Sequence, residues 1–469
     1  MSKTVENFII ENFQNKKVLI LGFGREGKST FNLLRKFLPQ KEIFIADKND
    51  KLKEELCFNL TDKNMSLILG ENYLDSLSDF DLIIKSPGIS LKDKNLDISK
   101  IIVTSQSDLF LQMFSDQIIG ISGTKGKSTT ASLIEHIIKQ CSKNVLLVGN
   151  IGLPPFEIIS EINKKTRIVF ELSSHQLEFV QSSPHIAILL NFYQEHLDHY
   201  KNFADYKNAK LNIAKFQKEN DFLIYNSDDK QIEELIKEKN FKQNIIRYSK
   251  KNNHEKNCYI SENNIVYSNS QEEDVLVDLN HRRFLRGEHN ISNILAAVCA
   301  CKILKISDAA IRKGIESFKS LEHRLEYVGE YGNIHFYNDS IATIPEATIE
   351  AVKTLKDVDT LILGGFDRGI NYEDLIYFIK ETKISNLIFL GDRSNRLYVE
   401  MQKNIQDKLF FTVKSFSEAA KIIQTYTKPM SVCLLSPAAA SYNLFSNFEE
   451  RGNEFKKMVK KLNQFIIVD

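Results

Sequence analysis

The stretch GISGTKGKSTT, Gly120 to Thr130, begins with the end of an apolar run and leads into ASLIEHIIKQ, an amphipathic run. This order predicts a strand, a glycine-rich loop and a helix. In such a loop, backbone N–H groups surround phosphates, a lysine reaches the β- and γ-oxygens, and a hydroxyl can bind Mg²⁺. Ile121 stands where the strict GxxxxGK[ST] pattern has its first glycine, so a chance loop is the alternative. We predict triphosphate contacts from consecutive residues of this loop: Gly123, Thr124, Lys125, Gly126, Lys127, Ser128, Thr129 and Thr130.

A second glycine turn lies near the amino terminus. In VLILGFGREGKSTFNLLRKF, an apolar run precedes the spacing GxGxxG at Gly22, Gly24 and Gly27, and an amphipathic run follows it. The next predicted strand, EIFIAD, ends in Asp47, about 20 residues beyond the last glycine, as in dinucleotide-binding sites. We therefore expect a ligand that contains a nucleoside diphosphate, with Ser86 of the later SPG turn at the same edge. Turns whose glycines serve packing alone are the alternative.

Acidic and imidazole side chains follow two further predicted strands. Glu171 ends RIVFE, and the segment EHLDHY supplies Glu195 and His196. At the carboxyl ends of parallel strands, such groups are well placed to bind a metal that bridges phosphate oxygens. A zinc site and a solvated turn are the alternatives, although neither a CxxC pair nor an HExxH helix supports zinc. A diphosphate turn and a triphosphate loop in one chain predict ATP-driven group transfer or ligation.

Three further positions have simple structural explanations. Lys210 lies with other lysines on a helical pattern, which is typical of a solvated helix face. Asn290 stands at the entry of an apolar helix, where it would serve as the N-cap. Arg324 can reach a phosphate across a closing cleft or form a surface salt bridge.

Composition limits the partners of the chain. Lys plus Arg number 62 and Asp plus Glu number 61, a balance that argues against a nucleic acid or an anionic membrane as partner. The six cysteines form no CxxC pair, as expected of reduced thiols, and no segment approaches about 18 apolar residues. The amino-terminal residues lack a basic start followed by an apolar core. We therefore expect a cytoplasmic protein without a membrane or nucleic-acid partner.

Predicted strands alternate with predicted helices over most of the 469 residues, which indicates an α/β fold. At roughly 150 residues per domain, the length favours three domains. We predict a Rossmann-like N-terminal sheet in residues 1–105, a central P-loop mononucleotide-binding sheet in residues 106–320, and a C-terminal Rossmann-like sheet in residues 321–469.

Together these motifs resemble those of the Mur ligase family. The matching segments include GTKGKSTT, GNIG, ELSSHQLE, EHLDHY, GEHNISN, EHRLE, NDSIAT, LGGFDRG and LLSPAAASYNLFSNFEERGNEF. The SPGI turn and the last segment are most similar to the member that adds D-glutamate. The resemblance implies an ATP-dependent ligase that joins D-glutamate to UDP-N-acetylmuramoyl-L-alanine through an acyl phosphate, in peptidoglycan precursor synthesis. We also expect a monomer.

The resemblance implies roles for individual residues. The catalytic residues would be Lys127, Glu171, His196 and Lys210. Two Mg²⁺ ions would be held by Ser128, Glu171, His196 and Lys210, the last as a carbamate formed with CO₂. Further ATP contacts would come from Asn290, Asn293, Arg324 and Asp339. UDP-substrate contacts would come from Gly24, Arg25, Glu26, Asp47, Ser86 and Asn150, and amino-acid contacts from Arg368, Ser441 and Phe448.

Two departures from the family pattern concern the amino-acid site. Ile341 stands in NDSIAT where a lysine is common, and the lysine common after LGG is absent from LGGFDRG, where Arg368 can substitute. A guanidinium binds a carboxylate with a different geometry from an ammonium. The alternatives are a sibling Mur-type or folylpolyglutamate ligase, a nicotinamide-dependent oxidoreductase that uses the GxGxxG turn and Asp47, and a nucleotide-dependent switch without chemistry.

Overall fold

The computed structural model describes most of the chain: residues 2–57, 62–92, 101–142, 144–149, 153–195, 199–252, 257–269, 272–280, 285, 288–319, 321–355, 357–367, 369–391, 395–442 and 444–462. Three sheets lie within these residues. The predicted α/β class with three sheets is confirmed by this architecture.

The first sheet is built from β1 (Val18–Leu21), β2 (Ile43–Asp47), β3 (Met65–Leu69), β4 (Leu82–Lys85) and β5 (Ile102–Thr104). The helices of this part are α1 (Ser2–Phe13), α2 (Arg25–Phe37) and α3 (Leu52–Cys57), with a 3₁₀ turn at Leu77–Asp79. All paired strands are parallel, in the order β3-β2-β1-β4-β5. The order reverses between β1 and β4, and ligands of open parallel sheets bind at that point, outside the carboxyl ends of the strands. We call this edge the first rim: the Gly22–Gly27 turn after β1 and Ser86 after β4.

The second sheet has nine strands: β6 (Ile118–Ser122), β7 (Val145–Gly149), β8 (Arg167–Glu171), β9 (Ile186–Leu189), β10 (Phe222–Asn226), β11 (Asn244–Ser249), β12 (Cys258–Ser261), β13 (Asn264–Asn269) and β14 (Glu272–Asp278). Its helices are α4 (Gln106–Phe114), α5 (Lys127–Lys139), α6 (Ser174–Leu177), α7 (Phe203–Lys215), α8 (Lys230–Lys239), α9 (Glu288–Ile303) and α10 (Asp308–Ser317), with 3₁₀ segments at Ser115–Gln117 and Pro155–Glu161. The order is β14-β13-β12-β11-β10-β9-β6-β8-β7, parallel from β12 to β7 and antiparallel at β12, β13 and β14. The phosphate-loop strand β6 therefore lies between β8 and β9.

The third sheet has six strands: β15 (Glu326–Tyr331), β16 (Ile334–Asn338), β17 (Val358–Leu363), β18 (Asn386–Leu390), β19 (Leu409–Val413) and β20 (Val432–Leu435). Its helices are α11 (Pro345–Leu355), α12 (Glu373–Lys380), α13 (Arg396–Asn404), α14 (Phe416–Tyr426) and α15 (Phe448–Leu462). The order is β15-β16-β20-β17-β18-β19, with an antiparallel β15–β16 pair and parallel pairing elsewhere. We call the carboxyl ends of β16, β20 and β17 the third-sheet rim.

The described residues divide into two compact units. Those up to Ser317, apart from Leu285 and Glu288, form the first unit, which contains the first two sheets; the second unit contains the third sheet. Strands β1, β4, β6 and β9 are buried along their whole length, as expected of central strands covered on both faces. No helix among the described residues is long and apolar enough to cross a membrane. The domain boundaries at 105/106 and 320/321 stay predictions.

Candidate active site

The loop after β6 depends on two glycines. Gly123 has a φ of +146°, and Gly126, the residue before α5, has a φ of +88°. A Cβ atom on Gly123 would lie 2.9 Å from Leu190 Cβ, and one on Gly126 would lie 2.3 Å from Asn293 Oδ1. Only glycine fits both the backbone conformation and the space. Because α5 begins at the next residue, its first N–H groups and its dipole favour an anion at this loop.

The residues after β9, together with α7, hold the phosphate loop in place. The Asn191 side chain accepts a hydrogen bond from Lys125 N at 2.8 Å and donates one to Lys125 O at 3.0 Å. The Thr124 hydroxyl lies 2.9 Å from Tyr206 Oη on α7 and accepts a hydrogen bond from Tyr193 N at 2.9 Å. These contacts fix the loop before any ligand binds, which lowers the cost of ordering it.

Two lysines meet at one carbonyl oxygen of the loop. Lys210 Nζ donates to Gly123 O at 2.8 Å, and Lys127 Nζ donates to the same oxygen at 3.1 Å. Lys210 is only 2% exposed, so the solvated helix face that its spacing suggested is wrong for this residue. Burial and the charge of Lys127 lower the pKa of Lys210 well below its usual value, whereas Glu195 and Glu171 act in the opposite direction.

Carboxylates approach the loop from two strands. Glu171 ends β8, is 1% exposed, and lies opposite Ile121 of β6 in the sheet register. Glu195 forms an ion pair with Lys125 of the loop. Ser128, in the first turn of α5, is half-buried. Carboxylate, hydroxyl and phosphate oxygens are the ligands that Mg²⁺ takes, so Glu171 and Ser128 fit a magnesium ion bound together with a triphosphate.

The other predicted loop residues differ in exposure. Lys125 is exposed, whereas Thr129 and Thr130 are 4% and 0% exposed. Thr130 N donates to Gly126 O inside the helix, so this N–H group is already used. His196 lies outside the described residues. Within the described part of the chain, no cluster of three His, Cys, Asp or Glu residues could hold a metal ion, so the zinc alternative gains no support there.

Helix α9 reaches the phosphate loop through two buried amides. Asn290 and Asn293 are 7% and 5% exposed, and Asn293 Nδ2 donates to Asn290 Oδ1 at 3.0 Å. Asn293 Oδ1 is the atom that a side chain at Gly126 would strike. Because α9 begins at Glu288, Asn290 lies inside the first turn, and its interpretation as an N-cap is wrong.

The first rim brings the predicted uridine-site residues together. A Cβ atom on Gly27 would lie 2.1 Å from Gly22 O, so the third glycine lets α2 start close to β1. Asp47 Oδ2 accepts a hydrogen bond from Phe23 N at 2.7 Å, which ties the end of β2 to the turn. Ser86 Oγ donates to Gly22 O at 2.9 Å, which ties the end of β4 to the same turn.

Glu26 connects the first rim to the second sheet. Glu26 Oε1 accepts a hydrogen bond from Gln176 Nε2 at 2.9 Å, and Gln176 lies in α6, shortly after Glu171. Burial raises the pKa of the Glu26 carboxyl, which the bond from Gln176 and the charge of Lys85 oppose. Gly24 and Arg25 are exposed beside it. Asn150 lies outside the described residues.

The third-sheet rim contains a carboxyl group that is removed from water. Asp339 is 5% exposed; its Oδ1 accepts from Leu325 N at 3.0 Å and its Oδ2 accepts from Ser436 Oγ at 2.9 Å. Burial raises the pKa of Asp339 to about 7, although these bonds and the charge of Arg324 oppose the rise. Arg324 is half-buried, and His323 and Leu325 on either side of it have positive φ, at 63° and 42°. Such conformations are costly for these residues and are typical of functional sites.

A buried arginine lies behind the predicted amino-acid site. Arg451 of α15 is 1% exposed; it donates to Ser340 Oγ at 3.0 Å, to Ser340 O at 2.7 Å and to Ala439 O at 3.0 Å. Burial lowers its pKa to about 10, which leaves it charged at neutral pH. Ser340 Oγ donates to Phe448 O at 2.8 Å, and Ser441 is 3% exposed. Arg451 therefore joins the segments that carry two of the three predicted amino-acid contacts, Ser441 and Phe448.

The two sequence departures have different outcomes. Ile341 is half-buried, and its N–H donates to His323 O at 3.1 Å, so it is part of the third-sheet rim. Arg368 lies outside the described residues.

Comparison with known proteins supports the motifs. Residues 121–301 match the Mur ligase middle domain. A UDP-N-acetylmuramoylalanine--D-glutamate ligase from Oenococcus oeni is 34% identical over 457 residues, which cover 96% of this chain and 98% of the relative. The chain belongs to the Mur ligase family. A second ligase of the same name, from Listeria innocua, is 32% identical over 97% of this Mur ligase and 98% of its own length.

Solved structures show the same fold. MurF ligase from Thermotoga maritima, in complex with ADP, superimposes with a TM-score of 0.56 at 17% identity, covering 95% of each chain. MurF from Acinetobacter baumannii gives 0.59 at 15% identity, covering 98% of each chain. At these identities the likeness establishes the three-sheet fold of this Mur ligase and no more.

Sequence reasoning did not identify three buried residues whose contacts support the candidate site: Tyr206, Lys85 and Arg451. Tyr206 precedes Lys210 by four positions on α7, a spacing that puts both side chains on one helix face. Lys85 ends an otherwise apolar strand, and a charged residue there is a signal that could have been noticed. Arg451 lies inside the matching segment LLSPAAASYNLFSNFEERGNEF, but its charged helical pattern is typical of exposed residues, so its burial was not visible in the sequence.

Proposed function

We propose that this protein is an ATP-dependent amide ligase that adds D-glutamate to UDP-N-acetylmuramoyl-L-alanine in peptidoglycan precursor synthesis. Near-full-length similarity to ligases named for this reaction carries the proposal. The preformed phosphate loop and the first rim lie in one compact unit. Their presence together supports the proposal, because the reaction needs one nucleoside triphosphate and one nucleoside diphosphate.

In this proposal, Lys127 and the N–H groups at the start of α5 bind the phosphates of ATP. Their placement is supported by the preformed loop and by the 3.1 Å contact of Lys127 with Gly123 O. Thr124, Lys125, Gly126, Thr129 and Thr130 complete the loop. Asn293 is proposed as a nucleotide contact because it is buried beside Gly126, and Asn290 because it is buried and accepts a hydrogen bond from Asn293. Arg324 and Asp339 are proposed because they match the family motifs.

Glu171 and Ser128 would hold Mg²⁺, with His196 and Lys210 proposed at a second ion. When bound, magnesium withdraws charge from the phosphate oxygens and so assists the departure of ADP. Glu171 suits this role because it is buried at the end of the strand beside the phosphate loop.

We propose that Lys210 functions as a carbamate. Its amine is buried against Gly123 O with a second lysine beside it, surroundings in which an ammonium ion is poorly stabilised. The neutral amine attacks CO₂, forms an N–C bond and loses a proton, and the resulting carbamate offers anionic oxygen ligands. The negative charges of Glu195 and Glu171 oppose the lowering of the Lys210 pKa only in part.

The reaction would proceed in two steps. The terminal carboxylate of the L-alanyl group attacks the γ-phosphorus of ATP, which forms an acyl phosphate and breaks the bond to ADP. The amine of D-glutamate then attacks the acyl carbon, forms the amide, and releases phosphate and a proton. A carboxylate is a poor electrophile until it is phosphorylated, and the mixed anhydride has to be kept from water.

The proposed substrate contacts form two sets, one for each substrate other than ATP. Gly24, Arg25, Glu26, Asp47, Ser86 and Asn150 are proposed for the UDP-sugar, in a domain of residues 1–105. Ser441, Phe448 and Arg368 are proposed for D-glutamate, in a domain of residues 321–469, with the ATP domain at 106–320. The protein is proposed to act in the cytoplasm, because both nucleotide substrates are cytoplasmic compounds, and to act as a monomer, as the family resemblance implies.

The test measures ADP release with UDP-N-acetylmuramoyl-L-alanine over a panel of amino acids, with the amide product identified by mass spectrometry. We expect ADP and amide in equal amounts with D-glutamate. Because Ile341 departs from the common lysine, a sibling specificity is the second candidate, and turnover with another amino acid would support it. ATP consumption without a new amide would refute the proposal.

A further inference from the structure

One buried lysine of the first rim has no role in the function described so far. Lys85 ends β4, directly before Ser86, and its side chain is 1% exposed. Lysine is almost never buried to this extent without a partner. Lys85 Nζ lies 3.2 Å from Glu178 Oε2, and its contacts with the carbonyl oxygens of Ser86 and Pro87 are longer, at 3.4 and 3.5 Å.

The carboxylate of Glu178 contacts two side chains, those of Lys85 and His199. The same oxygen, Oε2, lies 3.1 Å from His199 Nε2, and Ser90 Oγ donates to His199 O at 3.1 Å. Glu178 directly follows α6, so it belongs to the second sheet, whereas Lys85 belongs to the first. The pair therefore lies where the two sheets of the first unit meet.

A second carboxylate is close to the same lysine. Glu26 and Lys85 line one small cleft together with Gly27 and Ser86. This cleft is part of the first rim, where the proposed function needs a diphosphate with two negative charges. Two carboxylates at the rim would repel such a ligand, and Lys85 is the cation that pairs with Glu178 and lines the cleft beside Glu26. The formal charge of Glu26, Lys85 and Glu178 together is one negative charge.

We propose that Lys85 is a positioning residue that sets the charge of the first rim and so permits an anionic nucleoside-diphosphate substrate to bind beside Glu26 and Glu178. The inference rests on the proposed function. Lys85 acts through Glu178 rather than by touching the ligand, since its ammonium is enclosed by protein. Its effect is therefore electrostatic, and a change of charge at either partner should alter affinity with a predictable sign.

The experiment measures binding of UDP-N-acetylmuramoyl-L-alanine to the full chain by calorimetry at one pH and ionic strength. Lys85→Met leaves two net negative charges, and we expect an affinity loss on the order of 10-fold. Glu178→Gln removes one carboxylate but keeps an acceptor for His199, and it should bind at least as tightly as the wild type. The double variant has the wild-type net charge and should return to within about 3-fold of wild-type affinity, well above Lys85→Met.

Two controls separate charge from structure. Lys85→Arg keeps the charge and should retain the affinity. Lys17→Met makes the same change on an exposed residue directly before β1, at the opposite edge of the first sheet, and should bind like the wild type. ADP affinity should stay within about 2-fold in all variants.

The outcomes are distinguishable. If Lys85 only supports folding, both single variants weaken binding and the double variant is weakest, which would overturn the inference. Equal affinity of Lys85→Met and wild type would also overturn it, while the proposed function stands. If the wild type itself does not bind the UDP-sugar, the proposed function fails and this inference fails with it.

Discussion

Replacement of Asp339 by Asn should stabilise the second unit in a pH-dependent way. In the folded chain, burial raises the pKa of this carboxyl to about 7, against 3.8 ordinarily. The folded state therefore takes up a proton that the unfolded state lacks between these two values, and its stability falls as pH rises through that window. At about 1.4 kcal/mol per pKa unit, the cost above pH 7 is at most about 4 kcal/mol.

Asn lacks this titration and can keep both contacts, since its oxygen can accept from Leu325 N and its amide can donate to Ser436 Oγ. Between pH 5 and pH 8, the unfolding free energy of Asp339→Asn should rise relative to wild type by about 2.5 kcal/mol. Calorimetric scans of the full chain should show this as a Tm difference that grows by about 5–10 °C.

Asp407→Asn is the matched control, because that side chain is 70% exposed and lies in the same unit. Its Tm difference from wild type should be the same at pH 5 and pH 8. If Asp339→Asn also differs from wild type by a constant amount across this range, the buried, proton-binding Asp339 described above is refuted.

Three further predictions concern the phosphate loop. Lys127→Ala should lower ADP formation by at least about 100-fold while calorimetry still detects UDP-sugar binding, because the phosphate loop after β6 and the first rim after β1 are separate sites; loss of both activities would contradict this. Lys210→Ala should be similarly impaired and partly recover with millimolar formate or acetate, which supply the missing anionic oxygens; no recovery would speak against the carbamate. Gly126→Ala should lower kcat/KM by about 10-fold or more with an unchanged circular dichroism spectrum. The added Cβ would lie 2.3 Å from Asn293 Oδ1, and the φ of +88° is unfavourable for alanine. Normal activity of this variant would refute the close approach of Asn293 to the phosphate loop.

Local patterns in the sequence predicted the strands and glycine turns that define the sites. The runs before Gly22 and Gly123, VLIL and IIGIS, are largely apolar because β1 and β6 are buried on both faces, so their strand character is visible locally. The positions of side chains across strands are not visible locally. Lys207, Lys210 and Lys215 look equivalent on a helical pattern, and only the packing of α7 against the phosphate loop distinguishes Lys210.

Long-range partners explain what the sequence did not predict. Asn191 holds the phosphate loop from 66 positions away, and Arg451 contacts Ser340 from 111 positions away. No periodicity or spacing rule connects positions so distant, because their proximity depends on strand order in the finished sheets. The resemblance supplied roles for several motif positions but assigned none to Lys85, which directly precedes the SPGI turn, or to Arg451, which lies inside the last matching segment; the burial of both is visible only in the structure.

The two buried lysines of the first unit show how surroundings decide the chemistry of one residue type. Lys85 and Lys210 are each 2% exposed, and burial lowers the pKa of both. Lys85 has a carboxylate at 3.2 Å, which favours its ammonium form and so opposes the effect of burial on its pKa. Lys210 has a carbonyl oxygen at 2.8 Å and another lysine beside it, so its cation is poorly stabilised, and this is the basis on which we propose a carbamate there. The groups around each lysine, rather than the residue type, therefore decide its role.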